Sequence, residues 1–270
     1  MMLIKYIILG ILQGITEPLP ISSSGHLFIF KQLFSTDILN DLNFEIFLNF
    51  ASFIAIVIIF WNDLVKLVGG FFKYIFDKEN REKYKNEYKY CWLIVIGSIP
   101  VGIVGFLFKN TIENVLNKSW MVGVAFLITA VALVLVNNIK GKKEDNDITY
   151  KDALIIGLFQ MIALFPGLSR SGMTLVGCLF CKLERSAALK YTFMLYLPVS
   201  VATFILGVKD VMEVGIESSM LMNYIISMIF SGIFTLLTYK LFTKMVRNGK
   251  LWKFSIYLVL MGLFVLIYFI

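Results

Sequence analysis

The chain has 270 residues, 59% of them hydrophobic, 15% aromatic and only 16% charged, with a mean hydropathy of +0.81. Soluble domains sit near ~45–50% apolar and ~25% charged, so a water-soluble globule is excluded. Lys and Arg total 25 against 18 Asp and Glu, a formal charge of +7; in a membrane protein such a surplus belongs to cytoplasmic loops facing anionic headgroups, and nucleic acid is not an expected partner.

A helix needs ~20 apolar residues to cross the hydrocarbon core, whereas barrel strands alternate. The apolar blocks here are continuous, which predicts an all-α polytopic membrane protein. The first stretch, 2–34, is broken by T-E-P-L-P-I-S-S-S-G (Thr16 to Gly25) and leaves two short arms. At ~1.5 Å per residue an arm of about 14 residues covers about 21 Å and stops short of a ~30 Å core. Spans follow at 42–61, 91–108 and 120–136. A second stretch, 153–181, is broken by F-P-G-L-S-R-S-G (Phe165 to Gly172), and spans 191–208, 221–242 and 254–270 complete the chain. The first apolar stretch leads into Gln13 and Glu17 rather than a small-residue cleavage site, so no cleavable leader is expected.

Basic residues set the orientation. Loop 62–90 carries seven of them, loops 137–152 and 243–253 four each, loop 109–119 two and loop 209–220 only Lys209. With the basic loops inside, region 153–181 starts and ends in the cytoplasm and is too short to cross twice, which predicts a re-entrant hairpin. The same count puts 35–41 outside, so region 2–34 enters and leaves from the outer face. A register shift of 147 places Gly10 on Gly157, Gln13 on Gln160, Ser22 on Ser169, Ser24 on Ser171 and Gly25 on Gly172. Residues 1–140 and 141–270 are therefore expected to be two repeats, each one hairpin plus three spans. Three crossings is odd, so the repeats are inverted and their broken helices meet at depth.

Irregular backbone at that depth must be buried in protein or line a polar cavity, and ionisable groups there are usually functional. The first tip supplies Glu17, Ser22, Ser23, Ser24, Gly25 and His26, the only histidine; the second supplies Gly167, Ser169, Arg170, Ser171, Gly172 and Thr174. Gly and Ser before a helix aim free N–H groups and the positive dipole end at one spot. Arg170 adds a planar fork matched to phosphate oxygens, which makes phosphate the leading ligand. Blander roles compete: the serines as helix caps, Pro166 and Gly167 as turn-formers, Arg170 as a structural partner of Glu17. Glu45 and Asn49 either extend the cavity or pair with another helix. Cys178 and Cys181 form a C-x-x-C without a second pair or a nearby His and are read as small apolar residues.

The stretches L-Q-G-I-T-E-P-L-P-I-S-S-S-G-H (Leu12 to His26) and P-G-L-S-R-S-G-M-T (Pro166 to Thr174) resemble the paired signatures of the bacitracin-resistance type of undecaprenyl-diphosphate phosphatase. Pro18 stands where that family usually has Phe, and Gln13 where Glu is commoner. The resemblance implies hydrolysis of a C55 polyprenyl diphosphate to its monophosphate at the outer face of the bacterial plasma membrane. That reaction recycles the lipid carrier for cell-wall synthesis and confers bacitracin resistance. Within that reading Ser23 attacks the terminal phosphorus with His26 as general base, and Arg170 with the tip serines, Gly167, Thr174 and the tip amides neutralises the phosphoryl oxygens. Glu17 and Gln13 hold a divalent cation, Mg²⁺ or Ca²⁺. His26 as nucleophile and Glu17 as activator of water are open variants. The expected partners are the polyprenyl diphosphate lipid and the membrane, with a homodimer admitted. An inverted-repeat transporter or flippase of an anionic lipid is the rival from another class.

Overall fold

The computed structural model describes residues 2–34, 42–108, 118–214 and 218–269. Residues 35–41, 109–117 and 215–217, in loops on which the orientation count partly rests, lie outside the described residues. Eleven α-helices and two single 3₁₀ turns make up the described chain, with no strand and one isolated bridge between Lys143 and Leu183. The helices are α1 (Met2–Thr16), α2 (Ser23–Phe34), α3 (Leu42–Ile59), α4 (Trp61–Phe76), α5 (Lys85–Leu107) and α6 (Ser119–Asn137), then α7 (Tyr150–Ile162), α8 (Arg170–Phe180), α9 (Arg185–Val214), α10 (Ser218–Arg247) and α11 (Trp252–Tyr268). The protein is a multi-pass helical membrane protein.

By length and composition, four stretches among the described residues can cross a bilayer: Arg81–Leu107, Ser119–Asn137, Arg185–Lys209 and Met220–Arg247. Six spans are expected from hydropathy, and the two others differ for physical reasons. The chain turns by 74° between α3 and α4, and α11 is only 17 residues long. Helices α5 and α9 begin six residues before their apolar blocks, because a helix continues through charged ends that hydropathy leaves out. Helix α4 occupies half of what reads as a basic loop: Trp61, Val65, Val68, Phe72 and Phe76 point outward at helical spacing on one stripe, while Lys66 reaches Glu87 of α5 at 3.5 Å.

Lipid removes the hydrophobic drive between helices, so close approach and buried hydrogen bonds take its place. Helix α1 lies directly against α10: a Cβ on Gly10 would meet the Ser227 carbonyl at 2.4 Å, and one on Gly14 the Ser231 carbonyl at 2.4 Å. The same contact recurs between α7 and α5, where a Cβ on Gly157 would meet the Gly97 carbonyl at 2.4 Å. Serines add buried bonds across these seams, Ser227 Oγ donating to the Tyr6 carbonyl at 2.8 Å and Ser231 Oγ to that of Leu48 at 3.2 Å. The other close pairings are α6 with α11, α3 with α10 and α9, and α7 with α8. The core between them is apolar and aromatic, including Phe126, Tyr191, Phe193 and Phe242. Cys178 and Cys181 are free thiols buried in that core.

Helix α7 starts with a reciprocal cap. Thr149 Oγ1 accepts the Asp152 N–H at 3.1 Å, Asp152 Oδ2 accepts the Thr149 N–H at 3.0 Å, and Lys143 binds both Asp152 oxygens at 2.9 Å. This anchor fixes where α7 begins and therefore where its short arm ends.

Because the α1–α10 approach leaves no room for a methyl group, Gly10→Ala is expected to cost about 1–3 kcal/mol through overpacking. Gly102→Ala, with open space around it, is expected to leave stability unchanged. Unfolding temperatures of the two variants in detergent check the contrast, and equal temperatures would contradict the packing described.

Candidate active site

Each broken region is a helix, a turn and a second helix whose first turn is capped by a serine. At the first, Ser22 Oγ accepts the Gly25 N–H at 3.2 Å; at the second, Ser169 Oγ accepts the Gly172 N–H at 3.1 Å. The hydroxyls of Ser22 and Ser24 lie 3.3 Å apart, as do those of Ser169 and Ser171. Ser22, Ser24, Ser169 and Ser171 therefore share capping and cavity-lining duties. The turns differ. The second uses Gly167 at φ +87°, the left-handed region that glycine enters without cost, where a Cβ would press on Val122 and Ala125 at 3.0 Å. The first places the non-glycine Ser22 at φ +69°.

The two turns touch. Ser171 Oγ donates to the Leu19 carbonyl at 2.8 Å, and Arg170 Nη2 donates to Glu17 Oε1 at 3.0 Å. Glu17 is the meeting point, for its Oε2 accepts from Ser23 Oγ at 2.5 Å and from Gln13 Nε2 at 3.0 Å. Gln13 Nε2 also donates to Asn49 Oδ1 at 2.7 Å, which brings α3 into the site. Arg170 lies over the Tyr196 ring, its Cζ 4.8 Å from the centroid. Such a face holds a guanidinium in place while leaving other N–H groups free for a ligand.

These residues wall a cavity of about 220 Å³. Glu17, Ser22, Ser23, Ser24, Ser169, Arg170 and Ser171 line it together with Asn49, Gln160, Tyr196 and Thr203. Gln13, Gly25, Gly167, Gly172, Thr174 and His26 stand behind the lining. Thr174 Oγ1 donates to the Arg170 carbonyl at 2.8 Å and supports α8 from below. His26 is turned the other way: its Nε2 faces Tyr257 Oη at 2.6 Å, its Nδ1 faces the Ser22 carbonyl at 2.7 Å, and no hydrogen bond joins it to Ser23. Asn49 belongs to the cavity through Gln13. Tyr196, Gln160 and Tyr257 were not singled out in sequence; a lone Tyr in an apolar helix carries no spacing signal.

A second cavity, about 600 Å³, is larger but a poorer anion site. Its Lys190 is already held by Asp63 at 2.7 Å and Asp145 at 3.0 Å, and Glu144 and Glu184 add negative charge to its wall. The smaller cavity combines an arginine fork with five serine hydroxyls at two capped helix starts, the chemistry that suits a phosphorylated ligand.

The family model described as bacitracin resistance protein BacA matches residues 6–264. The chain belongs to the BacA family. It is 39% identical over 266 residues to undecaprenyl-diphosphatase 2 of Bacillus thuringiensis, covering 98% of this chain and 97% of that one. It is 38% identical over 268 residues to the undecaprenyl-diphosphatase of Oceanobacillus iheyensis, covering 98% and 96%. Similarity to BacA-family members therefore runs through both broken regions and every helix between them.

If Glu17 and Arg170 meet as described, substitutions at the two sites are not additive. A double-mutant cycle with Glu17→Ala and Arg170→Ala, read as unfolding free energy in detergent, is expected to return a coupling of about 1–3 kcal/mol. A coupling indistinguishable from zero would contradict the contact.

Proposed function

We propose that this BacA-family protein hydrolyses undecaprenyl diphosphate to undecaprenyl phosphate and inorganic phosphate, recycling the lipid carrier of cell-wall synthesis and so conferring bacitracin resistance. The observation that carries the reading is the convergence of Ser23 and Arg170 on the two oxygens of Glu17, in a chain similar along nearly its whole length to undecaprenyl-diphosphatases.

Ser23 Oγ attacks the terminal phosphorus, its proton passes to Glu17 Oε2 and on to the bridging oxygen as the bond from that phosphorus to it breaks, releasing the lipid monophosphate and leaving Glu17 ionised again. Glu17 then takes a proton from water as the water oxygen attacks the phosphoserine phosphorus, and returns it to Ser23 Oγ as inorganic phosphate is freed. Phosphoryl transfer requires chiefly positioning and neutralisation of the phosphoryl oxygens. Arg170, steadied on Tyr196, supplies charge, while Ser24, Ser169 and Ser171 supply hydroxyls at the same wall. From the sequence His26 is the expected base for the Ser23 proton; Glu17 takes that place here, supported by its short contact with Ser23, while His26 is hydrogen-bonded to Tyr257 and the Ser22 carbonyl instead.

The surroundings also suit a hard divalent cation, Mg²⁺ or Ca²⁺. Gln13 Oε1 is buried without a partner, on the amide whose Nε2 donates to both Glu17 Oε2 and Asn49 Oδ1. One carboxylate, neutral oxygens and substrate phosphates make a donor set that such ions accept. Gln13, Glu17 and Asn49 would hold the ion, which when bound neutralises diphosphate oxygens and eases departure of the monophosphate.

The architecture behind the site is read as an inverted repeat of residues 1–140 and 141–270, each a re-entrant hairpin with three spans. Exchanging the halves turns α1 on α10 into α7 on α5, and α3 on α10 into α9 on α5, while α6 with α11 and α3 with α9 map onto themselves; all these pairings occur. With the basic loops read as inside, and in keeping with the family resemblance, the cavity is read as open to the outer face. There a diphosphate enters between the tips while the isoprenoid chain stays in lipid. Every group invoked comes from one chain, so the chemistry asks nothing of a second copy.

Phosphate release from polyprenyl diphosphate in detergent tests the reading. Ser23→Ala is expected to lose at least about a thousandfold in kcat, and rapid acid quench of the wild type to reveal phosphoserine at Ser23. Phosphate label on His26 instead, or full activity of Ser23→Ala, would overturn the assignment. Chelation of divalent ions is expected to slow release and added Mg²⁺ or Ca²⁺ to restore it; activity unmoved by chelator would remove the cation from the proposal.

A further inference from the structure

At the first tip Glu17, Ser22, Ser23 and Ser24 line the catalytic cavity, whereas His26 faces away from it and is only 6% exposed. Both of its nitrogens are engaged. Nδ1 lies 2.7 Å from the Ser22 carbonyl; a carbonyl oxygen can only accept, so Nδ1 carries the proton. The neutral ring then presents a lone pair at Nε2, which accepts from Tyr257 Oη at 2.6 Å. The imidazole and phenol rings are within 6° of parallel, and Phe126 packs 5.3 Å from the imidazole centroid. The single basic lone pair of His26 is thus occupied by Tyr257, and the ring is clamped from α11 and α6.

What the ring holds is the peptide just before Ser23. Ser22 sits at φ +69°, a left-handed conformation that is unfavourable for a residue with a Cβ. Its carbonyl accepts both the His26 side chain at 2.7 Å and the His26 backbone N–H at 3.3 Å. Its hydroxyl caps α2. With Ser22 in that conformation, Ser23 opens α2 with its hydroxyl on Glu17. A relaxed Ser22 peptide would swing Ser23 off the carboxylate.

We infer that Tyr257 and His26 form a positioning pair that locks the left-handed Ser22 peptide and thereby aims Ser23 at Glu17. This rests on the phosphatase reading above with Ser23 as nucleophile. Tyr257 and His26 touch neither substrate nor reacting atoms. Tyr257 belongs to the last helix and Ser22 to the first broken region, so the nucleophile is aimed only when the two ends of the chain are docked. Two atoms define the requirement: an N–H donor at the δ position of residue 26, and a hydroxyl at residue 257 that orients it.

The test measures kcat and KM for phosphate release from polyprenyl diphosphate in detergent, with unfolding temperature recorded for each variant. The variants are Tyr257→Phe, His26→Asn, His26→Ala and the double variant His26→Asn/Tyr257→Phe. Asn keeps an N–H at the δ position but has no basic nitrogen. Tyr257→Phe is expected to lower kcat about tenfold with KM unchanged, the loss of one hydrogen bond expressed in the chemical step. His26→Ala is expected to fall at least about a hundredfold, as misplacement of a reacting group does. His26→Asn is expected to recover to the level of Tyr257→Phe, and the double variant to be no worse than His26→Asn alone. His26→Asn as inactive as His26→Ala, with an unfolding temperature like that of wild type, would overturn the inference in favour of a base at His26. Wild-type kcat in Tyr257→Phe would also overturn it. Failure of the underlying reading has a different signature, phosphate release that survives Ser23→Ala.

Discussion

The arrangement of this site follows from one buried carboxylate that accepts from three directions. Glu17 takes Arg170 on one oxygen and Ser23 with Gln13 on the other. A carboxylate lying 9% exposed among helices is costly unless charge and hydrogen bonds surround it. Meeting that demand draws in α8 through Arg170, α2 through Ser23, and α3 through the Gln13–Asn49 bond. Those three elements form part of the cavity wall, which α5, α7 and α9 complete. The interaction that makes Glu17 tolerable is therefore also the one that brings the Ser23 hydroxyl and the Arg170 guanidinium to one cavity, and no separate device is needed to bring them together.

The two broken regions reuse a single local solution and diverge at one position. Ser22 and Ser169 cap their helices through Gly25 and Gly172, and Ser24 and Ser171 stand at equal distance from those caps. Between them, Ser23 and Arg170 occupy equivalent places, each the first residue of its helix, and each donates to Glu17. On the two-half reading, duplication supplies two helix starts facing one point, and chemistry enters by making one of them a hydroxyl and the other a guanidinium. His26 has no counterpart, its equivalent position being Met173. That fits a residue serving the left-handed Ser22, since its counterpart Ser169 lies at φ −81° and the left-handed residue of the second turn is a glycine, Gly167.

Much of this was legible from residue order because polar residues in an apolar chain are conspicuous. Glu17, the serine runs and Arg170 stood out against their surroundings, and the 147-residue register that pairs Ser22 with Ser169 reappears as matched caps. Helix α4 was not legible, because counting Lys and Arg over 62–90 hides an apolar stripe of Trp61, Val65, Val68 and Phe72. The direction of His26 was not legible either. Ser23 lies three residues before it, a spacing that places two side chains on one helix face, but Ser23 opens the helix beside a left-handed residue and its hydroxyl turns to Glu17 instead. Tyr257, on which that ring depends, lies among Ile256, Leu258 and Val259 in a uniformly apolar helix, where periodicity marks no one position for function.

Irregular backbone is tolerated at membrane depth only where protein satisfies it. Each turn here is satisfied largely by the other: Leu19 offers its carbonyl to Ser171, Glu17 receives Arg170, and the Ser169 N–H reaches Thr129 of α6 at 3.5 Å. On the re-entrant reading proposed above, neither turn could sit at that depth alone, because each would leave polar groups without partners. Pairing them resolves the folding problem and leaves between them a chamber lined by capped helix starts and one guanidinium. A lipid diphosphate requires a polar recess beside hydrocarbon, and two turns that must shelter one another create that recess before any residue is specialised for catalysis.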